Sequence, residues 1–187
     1  MQNKLSMQMI ENDTLPKRKK LRLENYDYST AANYFVTIVV QNRSCLFGEV
    51  SDGQMFLNDA GKGVNEAILH LPDNQASVII PYHVVMPNHI HVIFTLNGGV
   101  FLAEIIRRFK SYTTNLYTKG VQIHGWQPFD KRLWQHNYYE HIIRNQRAYD
   151  FIANYIFTNP QRWMKDAINP QHEAECEEIM KQVLMYG

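Results

Sequence analysis

Two histidines flank a single bulky apolar residue in His89-Ile90-His91, inside the run Tyr82-His83-Val84-Val85-Met86-Pro87-Asn88-His89-Ile90-His91-Val92-Ile93-Phe94. The flanking residues are strand formers, and residues two apart on a strand share a face. Ile90 is then directed into a core, while His89 and His91 point together out of the other face. Two parallel imidazoles suit one divalent metal ion, because neutral imidazole is a common ligand for such ions. The same pattern also describes two histidines on the wet face of a sheet. A metal held by two histidines needs further ligands, and Tyr155 and Asn159 supply a candidate. They are four apart on a predicted helix and so share one face. The amide oxygen of Asn159 suits a hard ion such as Mg²⁺ or Mn²⁺, with the Tyr155 phenol one turn away. Here too a second reading stands, with Tyr155 in the apolar stripe of its helix and Asn159 before Pro160 as a C-terminal cap.

The elements that must position these groups follow from periodicity. Tyr34 to Gln41 reads as a central strand. Leu46 to Val50 and Gln54 to Leu57 flank Asp52-Gly53 and read as a hairpin. Asn58 or Asp59 caps a helix from about Ala60 to Leu71. Ser77 to Met86 and His89 to Leu96 read as strands separated by the Pro87-Asn88 turn. Phe101 to Tyr117 shows a 3.6-residue period, with Gly120 as its stop. Tyr138 to Ile143 is a fourth main strand, and Gln146 to Phe157 a helix. A polar helix is expected from about Gln171 to Leu184. This order predicts an α+β fold, a ferredoxin-like or RRM-like antiparallel sheet with helices packed on one face. The other face is left free to bind. Three regions are expected: a basic, weakly ordered arm over 1–25, a catalytic domain over 26–165, and an acidic, helical tail over 166–187.

Composition bounds the function. The chain has 187 residues and 45% hydrophobic content, enough for one domain with a sizeable core. No apolar run approaches the length needed to cross a membrane, and Met1 to Asp13 lacks a signal-peptide core, so a cytoplasmic protein is expected. Cys45 and Cys176 read as free thiols. Net charge is only +1, but its distribution is uneven. Lys17 to Lys20 with Arg22, then Arg107, Arg108 and Lys110, then Lys131, Arg132, Arg144 and Arg147 precede an acidic end at Glu173, Glu175, Glu177 and Glu178. That fits a positive face for a polyanion. Lys19, Lys20, Arg22, Arg107, Arg108, Lys110 and Arg144 are the candidate phosphate contacts, since phosphate neutralisation carries most non-specific affinity. His141 and Glu140 are candidate neighbours of the site. His83 reads as structural. Trp126 and Trp134 suit either base stacking or core packing.

Several stretches together resemble the REP-associated tyrosine transposases, relatives of the single-tyrosine HUH (His, hydrophobe, His) transposases. They are Leu21 to Tyr28, Tyr34 to Ile38, Val85-Met86-Pro87-Asn88-His89-Ile90-His91, Phe109-Lys110-Ser111, Leu133-Trp134-Gln135, Tyr138 to Asn145 and Tyr155 to Pro160. They span about residues 17–165. The resemblance implies a ferredoxin-like fold and a metal-dependent endonuclease and strand transferase acting on single-stranded DNA at hairpin-forming repeats. It carries the metal pair onto His89 and His91 and the nucleophile onto Tyr155, through a covalent 5′-phosphotyrosine link that leaves a free 3′-hydroxyl. It carries a third ligand onto Asn159 less securely. Mg²⁺ or Mn²⁺ is the implied cofactor, and hairpin DNA the partner of a monomer or homodimer in a bacterial-type cytoplasm. The alternative is a non-catalytic regulator that binds structured single-stranded DNA or RNA on the same fold.

Overall fold

The computed structural model describes residues 31–171 except Gln75. The N-terminal arm with Lys19, Lys20 and Arg22, and all but the first residue of the helix expected from Gln171 to Leu184, lie outside the described residues. Six strands and three helices follow in the order β1 (Ala32–Val39), β2 (Gly48–Ser51), β3 (Gln54–Leu57), α1 (Asp59–Leu69), β4 (Val78–Val85), β5 (His89–Leu96), α2 (Leu102–His124), β6 (Tyr139–Ile143) and α3 (Gln146–Phe157). Four strands form one antiparallel sheet in the order β4-β5-β1-β6, and β2 and β3 form a separate hairpin. In the main sheet β5 is inserted between β4 and β1, as a split β-α-β layout requires.

Alternation along the two central strands assigns each side chain to a layer. Tyr34, Val36, Ile38, Ile90, Val92 and Phe94 face α1 and α2, where Val64, Ile68, Leu102, Ile105, Ile106 and Phe109 complete the larger core. Phe35 and Ile93 face the opposite way and pack with Ala148, Ile152, Tyr155 and Ile156 of α3. The sheet is therefore antiparallel with two helices on one face, as expected, while α3 covers part of the second face beside β4 and β5. That second cover explains why β5 is buried along nearly its whole length rather than on alternate residues.

Local sequence explains the boundaries. The Asn58 side chain accepts from Gly61 N at 2.8 Å and the Asn145 side chain from Ala148 N at 2.8 Å, capping α1 and α3. The expected stop at Gly120 does not occur, and α2 continues to His124. It ends at Gly125, which takes the left-handed conformation at φ 66° that a C-terminal glycine permits. Gly120 serves packing instead. A Cβ there would collide with the Trp126 indole, which folds back over the helix. Trp134, the other tryptophan with two readings, also belongs to the core: its Nε1 donates to Thr113 Oγ1 at 2.9 Å. His83 bonds Asn65 of α1 at 2.9 Å, a structural role. In β4 the pairing register shifts between Ile79 and Tyr82, around Pro81. Among the described residues no helix is long and apolar enough to cross a membrane.

Gly120→Ala should lower unfolding free energy by about 1–3 kcal/mol, the usual cost of forcing extra volume into a packed contact. Urea denaturation checks this. An unchanged midpoint would show that Trp126 does not depend on the missing Cβ.

Candidate active site

The register of β1 against β5 sets the site. Thr37 lies opposite His91 and Val39 opposite His89. His91 Nδ1 is 2.8 Å from Thr37 Oγ1, and His89 Nδ1 is 2.9 Å from Asn88 Oδ1. An amide oxygen can only accept, so His89 carries its proton on Nδ1 and leaves the Nε2 lone pair free. The two Nε2 atoms face each other at 3.0 Å. Two ring nitrogens at that distance, each anchored through its other nitrogen, are arranged as ligands are around a cation.

Asn88 is itself fixed. Its Nδ2 donates to Arg43 O at 2.8 Å and to Ile168 O at 3.0 Å. The backbone of the β4–β5 turn is held too: Pro87 O accepts from Leu46 N and Phe47 N, and Asn88 O from Val40 N. The pair is not on a wet face. Both histidines are 0% exposed, because α3 and the chain after it lie over them. Burial holds His89 down to about 3, so it is neutral. His91 is also held well below its ordinary value, first by burial and then by the adjacent His89, against a weaker opposing pull from Asp166.

The cover brings the other groups in. The last turn of α3 places the Tyr155 hydroxyl 3.3 Å from His91 Nε2. Tyr155 is 5% exposed and rests edge-on against Phe35. Its phenol is raised well above the ordinary value, first by burial and next by the charge of Asp166. The Asn159 amide and the Arg162 charge oppose that shift. Asn159 is buried, with its amide beside the Tyr155 phenol but without a well-formed hydrogen bond. A 3₁₀ turn over Pro160–Lys165 then stacks Trp163 on His89, with ring centroids 6.0 Å apart.

The chain next delivers Asp166, a residue that the sequence reading did not single out. Asp166 Oδ1 accepts from Ile168 N at 2.7 Å, while Oδ2 lies 3.6 Å from His89 Nε2 with no hydrogen-bond partner. One ligand atom from each of His89, His91 and Asp166 lies within 4.8 Å of the others. Two imidazole Nε2 atoms, a carboxylate oxygen without a hydrogen-bond partner and the Asn159 amide form a donor set that fits a divalent cation. No spacing rule points to Asp166, since it follows the Tyr155–Asn159 helical turn by an irregular path into what reads as the start of an acidic tail. Its carboxylate, 3.6 Å from His89 Nε2 and acting by charge on Tyr155 and His91, places it in the site.

The remaining candidates are distributed differently. Tyr139 and His141 lie opposite Thr37 and Phe35, on the face that carries the histidine pair, whereas Glu140 lies opposite Val36 on the other face. Arg144 is exposed just beyond β6. Arg107 and Arg108 are on the solvent side of α2, across the sheet from the histidines, and both bond Glu104, at distances down to 2.7 and 2.6 Å. Lys110 is engaged inside the fold. Its Nζ donates to the carbonyls of Gln135, His136 and Asn137 at 2.9, 3.3 and 3.1 Å and sits 5.5 Å from the Tyr138 ring centre. Burial lowers its ammonium to about 8.

The chain matches the family model described as "Transposase IS200 like" over residues 29–159. It is 35% identical over 173 residues to an uncharacterized protein of Haemophilus influenzae, covering 81% of this chain and 92% of that one. It is 33% identical over 85 residues to the REP-associated tyrosine transposase of Escherichia coli K12, covering 44% of this chain and 45% of that one. A solved structure of a REP-associated tyrosine transposase bound to a REP hairpin superposes with a TM-score of 0.55 at 24% identity, covering 75% of this chain and 73% of that one. At that identity the structural likeness speaks for the fold.

The buried imidazoles make stability depend on pH. Unfolded, His89 takes up a proton near 6.5, and folded only near 3. The unfolded state therefore binds more protons across that window, and stability falls as pH drops through it. In metal-free protein the expected slope is up to about 1.4 kcal/mol per pH unit for each such histidine. Denaturant titrations from neutral pH downward measure it. His89→Gln should flatten the slope, and an equal slope in that variant would count against a neutral His89.

Proposed function

Because the chain belongs to the IS200-like transposase family and resembles REP-associated tyrosine transposases, we propose that it nicks and rejoins single-stranded DNA at hairpin-forming repeats, with Tyr155 as nucleophile. The observation that carries this reading is the convergence of Tyr155 Oη on His91 Nε2 at 3.3 Å, beside His89 and Asp166. Attack by Tyr155 Oη forms a bond to phosphorus as the P–O3′ bond breaks. The proton lost by the phenol is matched by the one gained on the 3′-oxygen. The product is a 5′-phosphotyrosine with a free 3′-hydroxyl, and the reverse step rejoins strands because a phenoxide leaves readily.

His89, His91 and Asp166 would hold the metal, Mg²⁺ or Mn²⁺, with Asn159 as a further oxygen ligand. When bound, such an ion polarises the phosphodiester and offsets negative charge around the phenol. The protein's own groups do the rest. Asn88 and Thr37 fix the imidazole orientations, Phe35 sets the angle of the Tyr155 ring, and Trp163 excludes water from His89. Arg162, whose charge favours the Tyr155 phenoxide, would be the protein's cation for the substrate phosphate.

The test uses labelled hairpin DNA from the flanks of the gene, with Mn²⁺, on a denaturing gel. The intact protein should give a covalent adduct. Tyr155→Phe removes one oxygen and should abolish the adduct while leaving the fold intact, whereas Tyr138→Phe, Tyr139→Phe and Tyr149→Phe should retain it. An adduct that persists in Tyr155→Phe would overturn the assignment. In a parallel Mn²⁺ titration, Asp166→Ala and His91→Ala should each weaken binding about tenfold or more, the usual scale for losing an ion's ligand or its support. Unchanged affinity in Asp166→Ala would remove it from the ligand set.

A further inference from the structure

Beyond the end of β1 the chain opens a second concavity that the reaction at Tyr155 does not use. It is a shallow, widely open depression of about 480 Å³ lined by Gln41, Asn42, Arg43, Gln135, His136 and Asn137. That size is within the range of small-ligand sites, which are usually mostly apolar. This one is walled wholly by polar and charged side chains: four amides, an imidazole and a guanidinium.

Both walls are built structures. Gln41 N donates to Leu133 O and Gln135 N to Val39 O, each near 2.9 Å, so the two segments are zipped together past the end of the sheet. One wall turns sharply, with Asn42 at φ 59° and Arg43 at φ 55°, a conformation that side-chain-bearing residues adopt at a cost. Lys110 holds the other wall from behind through the carbonyls of Gln135, His136 and Asn137; the Gln135 side chain turns back to Val40 O at 3.5 Å, while His136 and Asn137 are exposed. Among the described residues, no hydrogen bond to the side chains of His136 or Asn137 accompanies those backbone contacts.

The cavity is coupled to the catalytic centre through Asn88 and through Arg43, whose Nη1 donates to Ala167 O at 3.0 Å, next to Asp166. Asn88 Nδ2 donates to Arg43 O at 2.8 Å while its Oδ1 accepts from His89 Nδ1 at 2.9 Å. Side-chain amides and guanidinium groups form paired hydrogen bonds with the edges of purines. Unpaired bases are recognised by such bonds together with stacking on planar side chains such as histidine. Gln41 Nε2 donates to Asn42 Oδ1 at 3.1 Å, Asn42 Nδ2 to Asp130 Oδ2 at 3.5 Å and Arg43 Nη1 to Ala167 O at 3.0 Å, which leaves the Gln41 amide oxygen, the rest of the Arg43 guanidinium and the Asn137 amide for a ligand. We infer that this cavity seats an unpaired purine of the single-stranded DNA near the scissile phosphate, read by those groups of Gln41, Arg43 and Asn137 and stacked on His136. This deepens the proposed nicking function and rests on it. The base would press on the loop whose Arg43 carbonyl anchors Asn88, and so on the group that orients His89.

The test is a binding titration of the full chain carrying Tyr155→Phe, so that DNA is bound without being cut. The probes are a hairpin oligonucleotide with a single-stranded flank and a set in which each flank nucleotide in turn is made abasic. Loss of the seated base should weaken binding about tenfold at one position and little elsewhere. Combining the abasic probes with Asn137→Ala or Gln41→Ala should shrink that penalty, since the two changes remove the same contact. A merely structural effect of either substitution would weaken all probes alike. Equal affinity for every abasic probe, or a penalty unchanged in both variants, overturns the inference. Adduct formation by the tyrosine-intact protein is read separately. An adduct without a base-dependent penalty sinks only the purine site, and a base-dependent penalty without an adduct sinks only the nicking activity.

Discussion

The geometry at Tyr155 depends on one constraint: the two imidazole Nε2 atoms are held 3.0 Å apart in a space without water access. Each ring is fixed through its far nitrogen, by Thr37 for one and Asn88 for the other. The Thr37 bond exists only because β1 pairs with β5 in the register that sets Thr37 opposite His91. A slip of one residue would turn both histidines into the core that holds Ile90. The hydrophobic alternation of β1 and β5 therefore specifies the ligand geometry as well as the core, and the large apolar cost of a slip protects a small polar arrangement.

What could be read from the chain follows the same logic. The bounds of β5 and α3 and the sharing of faces by His89 with His91 and by Tyr155 with Asn159 are properties of fixed periods, 2 for strands and 3.6 for helices. Those residues are brought together as expected. Period alone does not say whether a second layer will arrive, so the burial of the histidine pair was not legible. Neither was Asp166, whose approach depends on a 3₁₀ turn and a loop with no repeating pattern. Gly120 read as a stop because glycine often ends helices, but here the missing Cβ makes room for Trp126. Adjacency of charges in sequence did not show how they are divided in space. Arg107, Arg108 and Lys110 are adjacent in sequence, yet the first two bond Glu104 on the far side of the sheet and the third ties down a loop.

Asn88 has more depending on it than its neighbours. It accepts from His89, donates to the carbonyl of Arg43 and donates to the carbonyl of Ile168. Three segments far apart in sequence thus meet at one buried amide: the turn that carries the histidines, the loop after β1, and the chain that brings Asp166. A change in any one of them is felt by the other two through hydrogen bonds that have no water to replace them.

Among the described residues the sheet has two edges, β4 and β6. They differ in what a neighbouring chain would meet there. β4 is broken by Pro81, which offers no N–H, and its register shifts between Ile79 and Tyr82. An edge interrupted in that way is a poor template for another strand, a common protection against unwanted fibre growth. β6 has no proline and no register shift along Tyr139–Ile143. A strand added to this sheet would therefore meet an unbroken backbone at β6, next to β1 and the Thr37 contact, and an interrupted one at β4.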